Sequence, residues 1–366
     1  MVLVILQHSY LSVNTRLIPH AADLLLWMVT HLAAIAFVSI SGTVFTYFLC
    51  TQSIWKTTYR RYALRAVFLI LVAHPAINSA RWFFRVTDSI PPLSFLDSII
   101  FDIPITDMIA VCVLVSPFLI LRLGTGLRSL VVVTLWVVAP VAVAFLTSAG
   151  PRWVIWKEVI FGAIEDPLVF WWPLAPWLAI FLAGSFAGYA LARLKQGELT
   201  ADSLVRGLKR VGIVLALLGI FLTIGYKVLK MAYGREWSPE LFGAIYPGQT
   251  TTLLPGYLAV LAGLFAALLR RIDMSGHYDR FLWFLSILGR TSLFTFVIQF
   301  AVVESVPALL GLKEILGLGG FIILFVLGLA VVWVLAYGYG RLRGWFSAND
   351  YGECVAAAGA HQGHGG

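Results

Sequence analysis

Long apolar stretches separated by short polar connectors run along the whole chain. Several are close to the roughly 20 residues that a helix needs to cross the hydrocarbon core of a bilayer. The pattern predicts ten membrane spans and therefore an all-α fold, a polytopic membrane helix bundle. The predicted spans are residues 1–15, 24–50, 63–80, 104–121, 129–148, 173–193, 210–228, 253–270, 288–308 and 320–340.

The two ends of the chain differ from this pattern. A helix from Met1 to Ser12 rises about 18 Å, which is short of the roughly 30 Å hydrocarbon core. We therefore expect either that the first helix is incomplete or that the natural chain starts earlier. The other end closes on AAAGAHQGHGG, a low-complexity segment. The sequence predicts one membrane domain over 1–345 and a disordered cytoplasmic tail over 346–366.

Composition agrees with a membrane protein. Hydrophobic residues make up 60% of the chain and charged residues 12%, whereas an ordinary soluble domain has about 25% charged residues. This argues against a large soluble enzyme. The three cysteines, Cys50, Cys112 and Cys354, have neither the spacing of a metal site nor that of a disulfide framework.

The charge of the connectors alternates along the chain. Assigning successive loops to opposite sides places seventeen of the 26 basic residues on one side, with six of the 18 acidic residues. Because basic loops stay in the cytoplasm, both termini are predicted to lie inside. The net charge then reflects orientation and attraction to anionic membrane lipids, and nucleic-acid binding is not expected. Short loops favour a bacterial inner membrane.

Ionisable side chains within spans are costly, which makes them candidates for a functional site. His8, His31 and His74 lie in the first three spans, with His31 and His74 in the outer half. A neutral histidine can act as a general base. The structural alternative is a hydrogen bond between helices, or for His74 a bond to a carbonyl freed by the kink at Pro75.

The ninth span carries further polar residues, with Arg290 at its cytoplasmic start, Gln299 near its middle and Glu304 near its outer end. Other catalytic motifs are missing from the sequence. It contains no nucleophile elbow, P-loop, HExxH or CxxC, and no metal site is predicted.

Five segments, in order, resemble a family of membrane acyltransferases. The family comprises acyltransferase-3 enzymes, heparan-alpha-glucosaminide N-acetyltransferases and their bacterial relatives. The segments are VLVILQHSY at the start, HLAAIAFVSISGTVF (His31 to Phe45), YRRYALRAVFLIL (Tyr59 to Leu71), PWLAIFLAGSFAGYAL (Pro176 to Leu191) and LGRTSLFTFVIQ (Leu288 to Gln299). One feature departs from the family. The Asp-x-x-Arg-Gly-like stretch that usually precedes the histidine is not in this sequence.

The resemblance implies an acyl transfer. A cytoplasmic acyl-CoA-type donor would give its acyl group to a hydroxyl or amine of an envelope carbohydrate, lipid or small glycoside, with no permanently bound cofactor. His8 would be the base or acyl carrier. Ser41 and Gly42 would allow close helix approach. The implied donor-binding residues are Arg61, Arg65 and Arg290, and the acceptor-side candidates are His31, His74, Glu158 and Asp166.

Two other classes of function stay open at the level of sequence. One is a transporter or flippase for a lipid or glycan, which mid-membrane histidines would suit, although the inverted repeats common in transporters are not evident. The other is a non-catalytic membrane subunit. The residues do not fix the acyl group, the acceptor or the oligomeric state.

Overall fold

The structure is a computed structural model dominated by helices. It describes residues 1–52, 55–83, 104–146, 159–161, 172–233, 244–246, 249–250, 253–275, 279–312 and 315–344. Two short strands, β1 (Ala244–Tyr246) and β2 (Gln249–Thr250), pair antiparallel. The predicted all-α class is confirmed apart from this small pairing.

The helices follow the apolar stretches of the sequence. They are α1 (Val2–Leu11), α2 (His20–Thr51), α3 (Trp55–Phe68), α4 (His74–Phe83), α5 (Ile105–Arg122), α6 (Thr125–Leu146), α7 (Leu174–Lys195), α8 (Ala201–Tyr233), α9 (Leu254–Leu269), α10 (Arg280–Arg290), α11 (Ser292–Gln299), α12 (Val306–Leu309) and α13 (Leu318–Leu342). Three π-helical segments continue them. Leu69–Ala73 joins α3 to α4, Arg270–Met274 follows α9, and Phe300–Ser305 joins α11 to α12.

Several helices have the length and composition of membrane spans. Among the described residues, seven qualify, namely His20–Thr51, Trp55–Ser79, Ile105–Arg122, Leu174–Lys195, Ala201–Gly225, Ser292–Leu309 and Leu318–Leu342. Val2–Leu11 and Thr125–Ala139 are apolar but shorter. Each of the ten predicted spans overlaps an apolar helix. The count of ten and the sides of the termini stay predictions.

Large apolar side chains are exposed on helices of both units. On α13, Ile322, Ile323 and Val326 are each more than half exposed. On α8, Phe221 is 72% exposed. Water-soluble monomers rarely expose large contiguous apolar patches, so these faces fit contact with lipid. The chain has the helices of a multi-span membrane protein.

Contacts divide the chain into two compact units. The terminal unit comprises Met1–Ala34, Ser79–Pro92 and Ala267–Gly366. The central unit comprises Ile35–Asn78 and Leu93–Ala266. The single membrane domain predicted over 1–345 stays a prediction, and the tail predicted over 346–366 lies outside the described residues.

The terminal unit packs around a core that includes the first helix. Ile5 of α1 is fully buried with Ile287, Leu288, Val303 and Val332, which come from α10, the π-helical segment after α11, and α13. Helix α1 has 10 residues and is therefore about 15 Å long. Its short length matches the expectation for the first span, and its packing positions the next turn, which carries His8.

In the central unit, small residues let α2 and α7 approach closely. A Cβ added to Gly42 would lie 2.0 Å from the Phe181 carbonyl oxygen, and one added to Gly184 would lie 1.9 Å from the Ser39 carbonyl oxygen. The Thr43 hydroxyl donates a hydrogen bond across this contact to the Gly184 carbonyl at 2.9 Å. The close approach expected at Gly42 is therefore confirmed, as in membrane bundles whose interfaces are built from small residues.

Candidate functional site

The predicted base His8 forms a hydrogen-bonded pair with a carboxylate in the terminal unit. Its Nδ1 contacts an oxygen of Glu304, and the two side chains are 13% and 8% exposed. The Phe300 ring meets the imidazole edge-on, with 4.6 Å between the ring centroids. The imidazole is therefore oriented by one carboxylate and one aromatic ring.

The local backbone explains how Glu304 reaches His8. Phe300 and Glu304 lie four residues apart in the π-helical segment Phe300–Ser305, and both contact the imidazole. Val303 of this segment packs on Gly328 of α13, where an added Cβ would lie 2.9 Å from the valine side chain. Single-turn π-bulges occur frequently at functional sites because they redirect side chains within a helix.

Polar side chains also fix the end of α1. The Ser12 hydroxyl, directly after the last residue of α1, donates a hydrogen bond to the His8 carbonyl at 2.8 Å. The Tyr10 hydroxyl donates to Asp23 at 2.7 Å and so ties α1 to the first turn of α2. These bonds hold the turn that carries the histidine.

One buried amide lies next in sequence to the residues that contact His8. Gln299 is fully buried, and neither its amide nitrogen nor its amide oxygen has a hydrogen-bond partner among the described residues. It immediately precedes Phe300. A buried amide without partners is unfavourable, so this side chain is available to a ligand group or to water.

The central unit contains a second histidine–carboxylate pair. His74 Nδ1 contacts an oxygen of Asp107, and the Asn78 amide nitrogen lies 3.3 Å from His74 Nε2. All three side chains are buried. An amide N–H donated to Nε2 leaves the Nδ1–H for the carboxylate, which is a satisfied neutral histidine. His74 follows the π-helical segment Leu69–Ala73 directly.

His31 contacts a residue of its own helix. Its Nδ1 lies 2.5 Å from the Trp27 carbonyl oxygen, one turn earlier in α2, and its ring packs on the Trp27 ring with centroids 4.2 Å apart. This hydrogen bond lies within α2, whereas the structural alternative predicted a bond between helices. The role predicted for His31 on the acceptor side stays a prediction.

The predicted donor-binding arginines lie on the surface of both units. Arg61 and Arg65 are exposed on α3 of the central unit, and Arg65 lies over the Tyr62 ring at 5.5 Å. Arg290 is exposed at the end of α10 in the terminal unit. The predicted acceptor-side residues Glu158 and Asp166 lie outside the described residues.

Three buried polar residues of the central unit are not among the predicted site residues. Asp107 stands within an apolar run, ITDMIAVCV, and this run is the signal that could have marked it as buried. Nothing in the sequence marks Asn78 as a partner of His74 except the spacing of four residues between them. Arg128 directly precedes the predicted span 129–148, a position typical of an exposed loop cation, but its side chain is buried.

No group of three or more metal-ligating side chains occurs in the part of the chain that the structure describes.

Comparison with known protein families, curated proteins and solved structures finds no match. Sequence motifs alone therefore support the resemblance to membrane acyltransferases.

Proposed function

We propose that this protein is an integral-membrane acyltransferase of a bacterial inner membrane. It would move an acyl group from a cytoplasmic acyl-CoA-type donor to a hydroxyl or amine of an envelope carbohydrate, lipid or small glycoside. The observation that best supports this proposal is the pairing of His8 with Glu304. This histidine is also the one that the resemblance marks as the base or acyl carrier.

The pair suits general-base catalysis of acyl transfer. Glu304 accepts the Nδ1–H of His8, which leaves Nε2 with a lone pair for the acceptor hydroxyl. As the acceptor oxygen attacks the thioester carbonyl, its proton moves to Nε2, and the carboxylate stabilises the imidazolium that forms. The C–S bond then breaks, and the leaving thiolate takes the proton from Nε2.

Gln299 has the properties of an oxyanion-stabilising donor in this reaction. Negative charge develops on the carbonyl oxygen of the thioester as the acceptor attacks. A preorganised N–H donor in a site that excludes water stabilises that charge strongly. Gln299 is buried, its amide nitrogen has no hydrogen-bond partner among the described residues, and it directly precedes in the sequence Phe300, which packs on His8.

The remaining roles carry over from the resemblance. Arg61, Arg65 and Arg290 are proposed to bind the donor phosphates, because guanidinium groups form charge-assisted hydrogen bonds with phosphate. His31, His74, Glu158 and Asp166 are proposed on the acceptor side. No cofactor is bound permanently in this scheme, since acyl-CoA acts as a co-substrate.

Replacing the histidine tests the proposal. His8→Gln should lower the transfer of label from [14C]acetyl-CoA into the envelope fraction of isolated membranes by about 10²–10⁴-fold, the usual contribution of a general base. The control is His20→Gln, an exposed histidine at the start of α2 with no proposed role, which should change the rate by only a few-fold. Wild-type labelling by the His8→Gln protein, at equal amounts in the membrane, would exclude this mechanism.

A second candidate function is proton-coupled transport of a lipid or glycan. The buried His74–Asp107 pair favours it, because acyl transfer at His8 does not need another proton-binding histidine. Uptake of an envelope glycolipid into sealed vesicles without any acyl donor, lost in His74→Gln but kept in His8→Gln, would support transport. Absence of uptake by the wild-type protein would exclude it.

A further inference from the structure

We propose that Arg128 binds the phosphate group of a ligand at the start of α6. The residue is only 3% exposed. Its guanidinium carbon lies 4.8 Å from the ring centroid of Phe186 and 5.7 Å from that of Tyr189, both on α7. Two aromatic rings therefore hold the cation in place and leave its N–H groups for other partners.

The hydrogen bonds of Arg128 are incomplete. Its Nε and Nη1 atoms are buried and have no hydrogen-bond partner among the described residues. A guanidinium stays charged in proteins, so it cannot avoid the cost of burial by losing its proton. Burial of such a charge is unfavourable unless it is paired. The site therefore requires an anion.

The described part of the central unit supplies no such anion. It contains three acidic residues, and each has another partner. Asp107 pairs with His74, Glu198 with Arg193 at 3.0 Å, and Asp202 with an arginine one turn later in α8 at 2.9 Å. The counter-charge for Arg128 is then expected from a bound ligand.

The backbone around Arg128 also favours an anion. Arg128 is the fourth residue of α6, and its own N–H donates to the Gly124 carbonyl at 3.0 Å. The positive end of the helix dipole and the amide groups of the first turn attract negative charge. A Cβ added at Gly124 or Gly126 would meet nothing within 4 Å. Space for a ligand is therefore open beside this turn.

A phosphate-bearing ligand suits the position of this site and the donors of Arg128. Tyr189 is 40% exposed, which puts the site at the rim of the unit, where headgroups and water-soluble ligands reach. Guanidinium groups match phosphate oxygens in geometry and charge. Lys195, on the same helix as the two rings, is exposed and lies over Tyr47 at 5.7 Å.

Two sources of the phosphate share this chemistry. One is the headgroup of an anionic phospholipid. The other source is the acyl-CoA-type donor, whose phosphates would bind here only if the proposed function is correct. In either case the buried cation is a binding residue in a unit whose predicted phosphate partners, Arg61 and Arg65, are both exposed.

The experiment compares the purified full-length protein with Arg128→Gln and Arg128→Lys. Arg122→Gln is the matched control, because it removes the same charge from an exposed residue at the end of α5. The probes are phosphatidylglycerol, with phosphatidylcholine as reference lipid, followed by native mass spectrometry, and coenzyme A, followed by calorimetry.

We expect Arg128→Gln to weaken binding of one probe by about tenfold or more, the value of a hydrogen bond to a charged group. Arg122→Gln should stay within about twofold of wild type, since an exposed charge contributes little. Loss of phosphatidylglycerol binding alone identifies a lipid, and loss of coenzyme A binding alone identifies the donor. Loss of phosphatidylglycerol binding would support the lipid site even if the protein shows no acyl transfer, because lipid binding does not depend on the proposed function.

Arg128→Lys keeps the positive charge, and it replaces Arg128→Gln as the test variant if Arg128→Gln does not fold. It should bind the same probe more weakly than wild type, because an ammonium lacks the planar fork of donors. Saturable binding of both probes by Arg128→Gln or Arg128→Lys with wild-type affinity would overturn the proposal. Failure of the wild-type protein to bind either probe saturably would overturn it as well.

Discussion

At the scale of single residues, both histidine–carboxylate pairs join side chains that are far apart in the sequence. His8 and Glu304 are separated by 296 positions, and His74 and Asp107 by 33. A carboxylate that accepts the Nδ1–H selects the tautomer with a basic Nε2. At His8 this pairing turns a buried histidine from a packing residue into a candidate base, whereas the Nε2 of His74 lies 3.3 Å from the Asn78 amide nitrogen.

Glu304→Gln tests whether this carboxylate orients and stabilises the base. The amide keeps the size of the side chain but loses the charge that stabilises the imidazolium. We expect acyl transfer to fall by about 10²–10⁴-fold, comparable to other losses of a carboxylate partner of histidine. The measurement is the initial rate with labelled acetyl-CoA. An unchanged rate would assign Glu304 to structure alone.

Gln299→Leu separates catalysis from stability. Leucine has a similar volume and no polar atoms, so it removes a buried amide that lacks partners among the described residues. Thermal stability in detergent should stay equal or rise, whereas acyl transfer should fall by about 10²–10³-fold if the amide stabilises the oxyanion. A stable variant with full activity would contradict the role proposed for Gln299.

At the scale of helices and loops, the close contact of α2 and α7 depends on glycine. Gly184→Ala would place a Cβ 1.9 Å from a backbone oxygen of α2, which side-chain rotation cannot relieve. We expect a loss of stability of about 1–3 kcal/mol, measured as a lower melting temperature in detergent. Gly263→Ala in α9, where a Cβ meets nothing within 4 Å, is the control and should be neutral or stabilising.

Asp279 caps the start of α10, and its stabilising effect should depend on pH. Its carboxylate accepts the Leu282 N–H at 2.9 Å and pairs with Arg271. The hydrogen bond from Leu282, with a further contribution from Arg271, lowers the pKa of Asp279. The stabilisation is present above the unfolded-state pKa of about 3.9 and is lost as pH falls through the lower folded-state pKa.

Asp279→Ala should therefore lower the melting temperature at pH 7. The difference from wild type should shrink when the pH is lowered through the acidic range below about 4. Melting curves of both proteins from pH 3 to pH 7 measure this. A difference that does not change with pH would show that the carboxylate charge does not contribute.

The sequence predicted the helices better than their local irregularities. Apolar runs located most of the helices, because an apolar stretch of sufficient length has few other stable conformations in a bilayer, but the predicted spans leave most of α10 (Arg280–Arg290) uncovered. The π-helical segments Leu69–Ala73 and Phe300–Ser305 had no signal in the sequence. Such segments depend on how a helix packs against its neighbours.

At the scale of the whole molecule, the orientation in the membrane is the main prediction still to be tested. Two exposed positions report it, Thr200 before α8 and Leu310 after α12. Single cysteines at these positions, in a variant without the three natural cysteines, should react differently with an impermeant maleimide on intact cells. We expect Leu310→Cys to label directly and Thr200→Cys only after permeabilisation. The reverse pattern would invert the orientation.

Sequence by itself determined the class of this molecule. Apolar length and loop charge predicted a helical membrane protein, and the rarity of ionisable residues within spans marked His8, His74 and Glu304 as polar residues in apolar surroundings. These properties are local, because each stretch of chain must satisfy its own backbone and charge in the bilayer.

Tertiary structure alone decided which polar residues are partners. It joined His8 to Glu304 and His74 to Asp107, and it buried Arg128 against the rings of α7. The physical reason is that hydrogen bonds and ion pairs need contact within a few ångströms. Helix packing sets such contacts between distant parts of the chain, and hydrophobic periodicity carries no record of them.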